Sequence, residues 1–204
     1  ITLLAVGRMT NLALALREDP EIAGLVERVV IMGGAFGFYG HSGNVSPVAE
    51  ANIAGDPEAA DEIFAAPWEV VVIGLDVTQE TVMSTAYLAD LRDRGGEAGR
   101  FIWQISRFYE DFYRDATGIN GVFGHDFSAA AWIADPTLFK TRGGPIRVVT
   151  EGIAVAQTIQ QPDTRKFPNT AWSGRPSHKV CVAVDAERSL ALYRDAIVGR
   201  FGGA

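Results

Sequence analysis

The residues able to do chemistry sit in short stretches, most of them at the ends of apolar runs. Met32-Gly33-Gly34 leads, after a loop, to Gly43-Asn44-Val45-Ser46-Pro47-Val48-Ala49-Glu50-Ala51-Asn52-Ile53. Amides and a carboxylate set among apolar neighbours suit sugar hydroxyls, since each offers donors or acceptors in fixed geometry. Asn44, Glu50 and Asn52 are therefore candidate sugar ligands, and Glu50 and Asn52 share a face if the segment is extended. The competing reading is that they satisfy the loop's own backbone. In Gly124-His125-Asp126-Phe127-Ser128-Ala129, a helix of small apolar residues is expected from Asp126. Its dipole stabilises a carboxylate at that end, so Asp126 is either a plain N-cap or a functional acid beside His125. In Val6-Gly7-Arg8-Met9-Thr10-Asn11, the missing Cβ of Gly7 lets the Val6 carbonyl approach a ligand or cation. The same stretch also reads as a simple turn with Thr10 or Asn11 as helix cap. Asp76, in Gly74-Leu75-Asp76-Val77-Thr78, either lines a crevice or caps a helix. Tyr109, Phe112 and Tyr113 recur on one face of a long amphipathic helix, where core packing and substrate stacking account for them equally well.

The elements that must position these groups follow from apolar periodicity. Strands are expected over 1–6, 28–32, 69–74 and 146–149, with longer alternating runs at 152–160 and 179–185. Helices are expected over 10–17, 20–27, 57–65, 86–94, 97–114, 126–134 and 186–200. Asp56-Pro57 is a strong start signal, an N-cap followed by proline at the first helical position. The first three strands are continuous apolar runs, as parallel strands covered on both faces are. The expected fold is α/β, an open, mostly parallel Rossmann-like sheet with flanking helices, in one domain over 1–204. The 152–185 region reads as a C-terminal β-hairpin. Ligands in such sheets bind outside the carboxyl ends of the strands, where Val6, Met32 and Asp76 fall. The Gly33 to Gly55 connection far exceeds the roughly 2–6 residues usual in α/β units; loops that long are functional or disordered, and the apolar Val45, Pro47, Val48, Ala49 and Ile53 favour the first.

Composition excludes several classes. A net charge of −7 with scattered Lys and Arg carries no nucleic-acid footprint. The single cysteine, Cys181, excludes an internal disulfide framework and is expected in a buried strand. No apolar run approaches the roughly 20 residues of a membrane helix, so a cytoplasmic protein without membrane contact is expected. Gly33, Gly34, Gly37 and Gly40 miss the G-x-G-x-x-G spacing that opens into a helix, which argues against a nucleotide-dependent oxidoreductase.

Taken in order, five segments resemble the inosine–uridine-preferring nucleoside hydrolase family. They are Val6-Gly7-x-x-Thr10-Asn11, Met32-Gly33-Gly34, Gly43-Asn44-Val45-x-Pro47-Val48-Ala49-Glu50-x-Asn52, Leu75-Asp76-Val77-Thr78 and His125-Asp126. The resemblance runs from Leu3 to about Val198. It implies hydrolysis of the N-glycosidic bond of a small-molecule ribonucleoside, using water on a calcium ion (Ca2+). It also implies that Asp126 and the Val6 carbonyl are calcium ligands, with Asp126 lying close to the sugar as well. Asn44, Glu50 and Asn52 would hold the ribose hydroxyls, with Met32 against the sugar. His125 would stand near the leaving base as candidate general acid, and a homodimer or homotetramer is implied.

Departures from the family pattern set further expectations. The opening aspartate cluster, D-x-D-x-G-x-D-D, is not in this sequence, which begins at Ile1 inside a strand pattern. The chain is accordingly expected to be the C-terminal part of a longer protein and inactive alone. Phe127 stands where proline is common, Gln79 where histidine is common, and the 34–43 loop is long, leaving purine against pyrimidine preference open. The alternative is a non-catalytic nucleoside- or ribose-binding module derived from the family, against which Asp126 and His125 argue.

Overall fold

Two β-branched runs, Arg28–Met32 and Val70–Ile73, form the buried middle of the sheet, with helices between them in sequence. The computed structural model describes residues 1–168 and 170–203. In chain order the elements are β1 (Thr2–Ala5), α1 (Thr10–Glu18), α2 (Ile22–Leu25), β2 (Arg28–Met32), α3 (Ala51–Ala54), α4 (Pro57–Ile63) and β3 (Val70–Ile73). Next come α5 (Leu75–Thr78), β4 (Val82–Ser84), α6 (Thr85–Arg94), α7 (Gly96–Thr117), β5 (Gly121–Phe123) and α8 (His125–Ala134). The chain ends with β6 (Phe139–Gly144), β7 (Ile146–Val148), β8 (Thr158–Gln160), β9 (His178–Val184) and α9 (Ala186–Phe201). It divides into two compact units, Ile1–Val77 with Phe139–Ala183, and Thr78–Leu138 with Val184–Ala204.

The first unit holds a five-stranded sheet in the order β1-β2-β3-β9-β6. β2 runs parallel to β1 and β3, and β3 runs parallel to β9. Val29, Val30, Ile31 and all of β3 are fully buried, as expected of parallel strands covered on both faces. Ile53, Ile63, Phe64, Trp68 and Met9 complete this core. The predicted start of α4 is realised: Asp56 Oδ1 accepts from Ala59 N (3.1 Å), with Pro57 following.

Cys181 lies in β9 with no exposed surface, and burial pushes its thiol up to about 12. At pH 8 its thiolate fraction is then on the order of 10⁻⁴, too small for alkylation. A maleimide or disulfide reagent is expected to leave the native protein unlabelled and to titrate one thiol after denaturation. Prompt labelling of the folded chain would place Cys181 elsewhere.

The second unit packs α6, α7 and α9 around Leu88 and Leu91, with Tyr87, Ile102 and Ile197 against them. Its short strands β4 and β5 pair antiparallel, Met83 opposite Val122. Ser84 caps α6 and Asp185 caps α9, accepting from Tyr87 N and Arg188 N, each at 3.1 Å.

Three expectations are corrected. The β-hairpin is not the 152–185 region: its arms are β7 and β8, Arg147 opposite Ile159, while β9 joins the main sheet beside β3. Residues 151–156 turn rather than extend, with Ala156 in the left-handed region (φ 67°). The 33–55 connection contains α3, so Glu50 and Asn52 do not alternate on an extended strand. The three-residue β4 and β5 had no legible period. Among the described residues no helix is long and apolar enough to cross a membrane.

Candidate active site

In the first unit, the polar residues after β2 converge through the backbone. Glu50 is the N-cap of α3 and only 2% exposed. Its Oε1 accepts from Asn52 N (2.9 Å), and its Oε2 from Ile53 N (3.1 Å) and from Gly34 N (2.9 Å), just past β2. Asn52 donates through Nδ2 to the Met32 carbonyl (3.0 Å), with Met32 Sδ 3.3 Å from the same nitrogen. Asn44 Oδ1 accepts from Ala51 N (3.0 Å) on the exposed side of the same turn. Met32, Asn44, Glu50 and Asn52 thus form one hydrogen-bonded group at the carboxyl end of β2, which the open-sheet rule singles out.

The glycines there are required by close approach. Gly34 has φ +76°, and a Cβ on it would come within 3.0 Å of Thr158 Oγ1. A Cβ on Gly74 would lie 2.8 Å from Asp76 Oδ2 and 2.9 Å from the Gly34 carbonyl. Asp76 neither lines a crevice nor caps a following helix. It is fully buried, and its carboxylate accepts from Phe36 N (2.9 Å) and Phe38 N (2.7 Å), tying down the loop after β2. Burial raises its carboxyl above the ordinary value against the pull of those amides.

Val6 follows β1 and is 41% exposed, beside a cavity of about 540 Å³ formed by residues 4–8 and 10–12. Nothing lies within 4 Å of a Cβ built on Gly7, so that face of the turn is open. Thr10 is not the cap of α1, a place held by Met9 without a side-chain bond. Its hydroxyl donates instead to Asp56 Oδ2 at 2.5 Å.

In the second unit, β5 delivers Gly124, whose N–H donates to the Thr81 carbonyl (2.9 Å), and α8 begins at His125. His125 Nδ1 lies 2.8 Å from Thr78 Oγ1, and Nε2 lies 3.2 Å from the Tyr113 hydroxyl. Burial pushes His125 down to about 4, so the ring is neutral at pH 7. A neutral imidazole has one donor and one acceptor nitrogen, so Thr78, His125 and Tyr113 can form a directional line. Tyr113 packs edge-on against Phe123, ring centroids 4.9 Å apart, and burial raises its phenol. Asp126 is not an N-cap. Gly124 holds that position, and the Asp126 carboxylate takes no hydrogen bond from any described residue. Apolar surroundings raise its carboxyl above the ordinary value.

A cavity of about 410 Å³ opens over this group, lined by Tyr109, Tyr113, Phe123, His125, Asp126 and Phe127 among others. That volume is in the range of small-molecule sites. Core packing does not account for Tyr109 and Phe112, which are 56% and 54% exposed, whereas Tyr113 is partly buried against Phe123. Thr78 and Tyr113 were not legible as partners of His125. The available signals were Thr78 closing the Asp76 segment and Tyr113 standing one helical turn after Tyr109.

The sequence matches the profile described as inosine-uridine preferring nucleoside hydrolase over residues 1–191. The chain belongs to this family. It is 36% identical over 199 residues to a probable uridine nucleosidase 1 of Oryza sativa subsp. japonica, covering 97% of this chain and 60% of that relative. Among solved structures, a plant nucleoside hydrolase superposes with a TM-score of 0.93 at 36% identity, covering 97% of this chain and 62% of that one. A purine-preferring ribonucleoside hydrolase from Gardnerella vaginalis gives 0.86 at 34% identity, covering 100% and 62%. The chain therefore spans about three-fifths of the length of these family members.

Proposed function

We propose that the protein of which this chain is part hydrolyses the N-glycosidic bond of ribonucleosides, releasing ribose and free base. The observation that carries this reading is a neutral histidine, fixed between Thr78 and Tyr113, next to an unpartnered Asp126 in an aromatic-walled cavity. A module that only held ribose needs neither group.

Cleavage builds positive charge on the ribose and negative charge on the departing base, as in other glycosidases. Asn44, Glu50 and Asn52 are assigned to the ribose hydroxyls, with Met32 lying against the sugar. Tyr113 donates its hydroxyl proton to the departing base and regains one from water once the base has left; His125 Nε2–H donates to the Tyr113 oxygen and steadies the phenolate meanwhile, and the Thr78 hydroxyl donates to Nδ1. The aromatic walls exclude water from the base. Calcium is the proposed cofactor, a hard cation that orients hydroxyls and acidifies a water. Asp126 fits it, since its carboxylate is exposed at the cavity and takes no hydrogen bond from a described residue, which leaves both oxygens for a cation. Among the described residues no three His, Cys, Asp or Glu side chains gather as a metal site. Calcium takes about 6–8 oxygens, so Asp126 and the Val6 carbonyl are assigned as part of a donor set only.

The test is release of free base from inosine and uridine by the complete gene product, with calcium and with a chelator. Calcium-dependent release is expected; a protein that binds ribose yet hydrolyses no nucleoside would make it the binding module instead. Tyr113→Phe is expected to lower kcat by about 10²-fold, within the usual range for positioned proton transfer, with KM changed only a few-fold. An unchanged kcat would remove Tyr113 as the proton donor.

A further inference from the structure

A second cavity, of about 390 Å³, lies within the first unit, between the segment after β2 and strands β6 and β8. Its one formal charge is Arg142; among the described residues no Asp or Glu lines it. The guanidinium is held from two sides. Nε donates to Gln160 Oε1 (2.8 Å), and the Phe38 ring lies 4.7 Å from the guanidinium carbon. Gln160 cannot swing away, because its Nε2 donates to the carbonyls of Arg142 (3.0 Å), Gly144 (3.1 Å) and His178 (3.2 Å). The terminal nitrogens of Arg142 find no hydrogen-bond acceptor or ion pair among the described residues. Asp76 is the carboxylate whose charge reaches it, and that carboxylate is committed to the Phe36 and Phe38 amides. Ser42 and Gln157 line the same cavity, and neither side chain has a hydrogen-bond partner among the described residues.

A half-buried cation without a counterion, joined by a hydroxyl and an amide, is a donor set awaiting acceptors. Arginine's planar fork matches two oxygens of one oxyanion, and a tetrahedral anion has further oxygens for Ser42 and Gln157. We propose that this cavity binds a phosphate-class oxyanion, with Arg142 as the fork and Ser42 and Gln157 as supporting donors. The volume leaves room for a pentose-sized substituent, so free phosphate and a phosphomonoester share the same recognition chemistry.

Calorimetric titration of the complete protein, in calcium-free, low-salt buffer without other oxyanions, separates the sources. One arm uses inorganic phosphate and the other ribose 5-phosphate. Saturable one-to-one binding of either is expected, and the tighter of the two names the source. Arg142→Gln is expected to weaken it at least about tenfold. Because Arg142 also braces Gln160, Ser42→Ala is measured beside it; it leaves that bracing intact and is expected to weaken binding about threefold or more. No saturable binding to the wild type overturns the proposal, as does equal affinity in the wild type and both folded variants. The readout is binding, so it stands apart from any nucleosidase activity.

Discussion

Asp126→Ala in the complete protein is expected to lose nucleoside hydrolysis by about 10²–10³-fold or more, the scale seen when one preorganised electrostatic group is removed. The fold is expected to survive nearly unchanged. The carboxylate takes no hydrogen bond from the described residues and does not cap α8. Its only stabilising contribution is therefore charge at a helix N-terminus, about 0.3–1 kcal/mol, and burial that raises its carboxyl works against even that. Asp126→Asn keeps the shape and any capping capacity but loses the charge. It should be as inactive as the alanine variant if the charge holds a cation, and nearly normal if the side chain only shapes the turn. The measurement is base release from inosine and uridine across a calcium titration, beside the calcium-induced rise in Tm. Loss of both activity and the calcium-induced rise, at unchanged calcium-free Tm, is the expected pattern. An alanine variant that melts well below the wild type would instead make Asp126 a structural residue.

Sequence legibility followed the range of the interactions. Arg28–Met32 and Pro57–Ile63 were legible because a continuous apolar run and an Asp-Pro start are local signals, read within a few residues. The sequence singled out Met32, Asn44, Glu50 and Asn52 but not the geometry that joins them. Nothing in the 33–55 composition says that Glu50 caps α3 while reaching Gly34 across 16 positions. The same holds for Thr78 and His125, 47 positions apart. β4 and β5 have three residues each, too short for a period of two to show, yet their pairing delivers His125. The hairpin was misplaced because alternation over 152–160 mimics a strand, whereas Gly152 and Ala156 adopt left-handed conformations that break it. Asp76 was undecidable from sequence because its partners are backbone amides some 40 positions earlier, and a backbone donor leaves no mark on residue type.

Glu50 separates a sugar ligand from a structural acid more sharply than any other residue. If it only held ribose, Glu50→Ala would raise KM and leave the melt unchanged. Its oxygens instead accept from three backbone amides, those of Gly34, Asn52 and Ile53, and the residue is 2% exposed. Each buried donor left unpaired costs roughly 1–3 kcal/mol. With partial relief by entering water, the alanine variant is expected to lose about 3–5 kcal/mol, a large share of a typical domain's stability. Glu50→Gln does not rescue it, because one carbonyl oxygen replaces two acceptors and the new amide faces N–H groups. Glu50→Asp divides the role. A shorter carboxylate still caps α3, aspartate being a favoured N-cap, but no longer spans to Gly34. It should lose only about 1.5–3 kcal/mol, the worth of one hydrogen bond to a charged group. Urea unfolding of the complete protein and its three variants orders them, and activity at a temperature where each is folded reads the sugar role apart from stability. Wild-type stability in Glu50→Ala would leave the carboxylate to the substrate alone; the expected graded loss makes it the brace that holds Met32, Gly34 and Asn52 in register for the sugar.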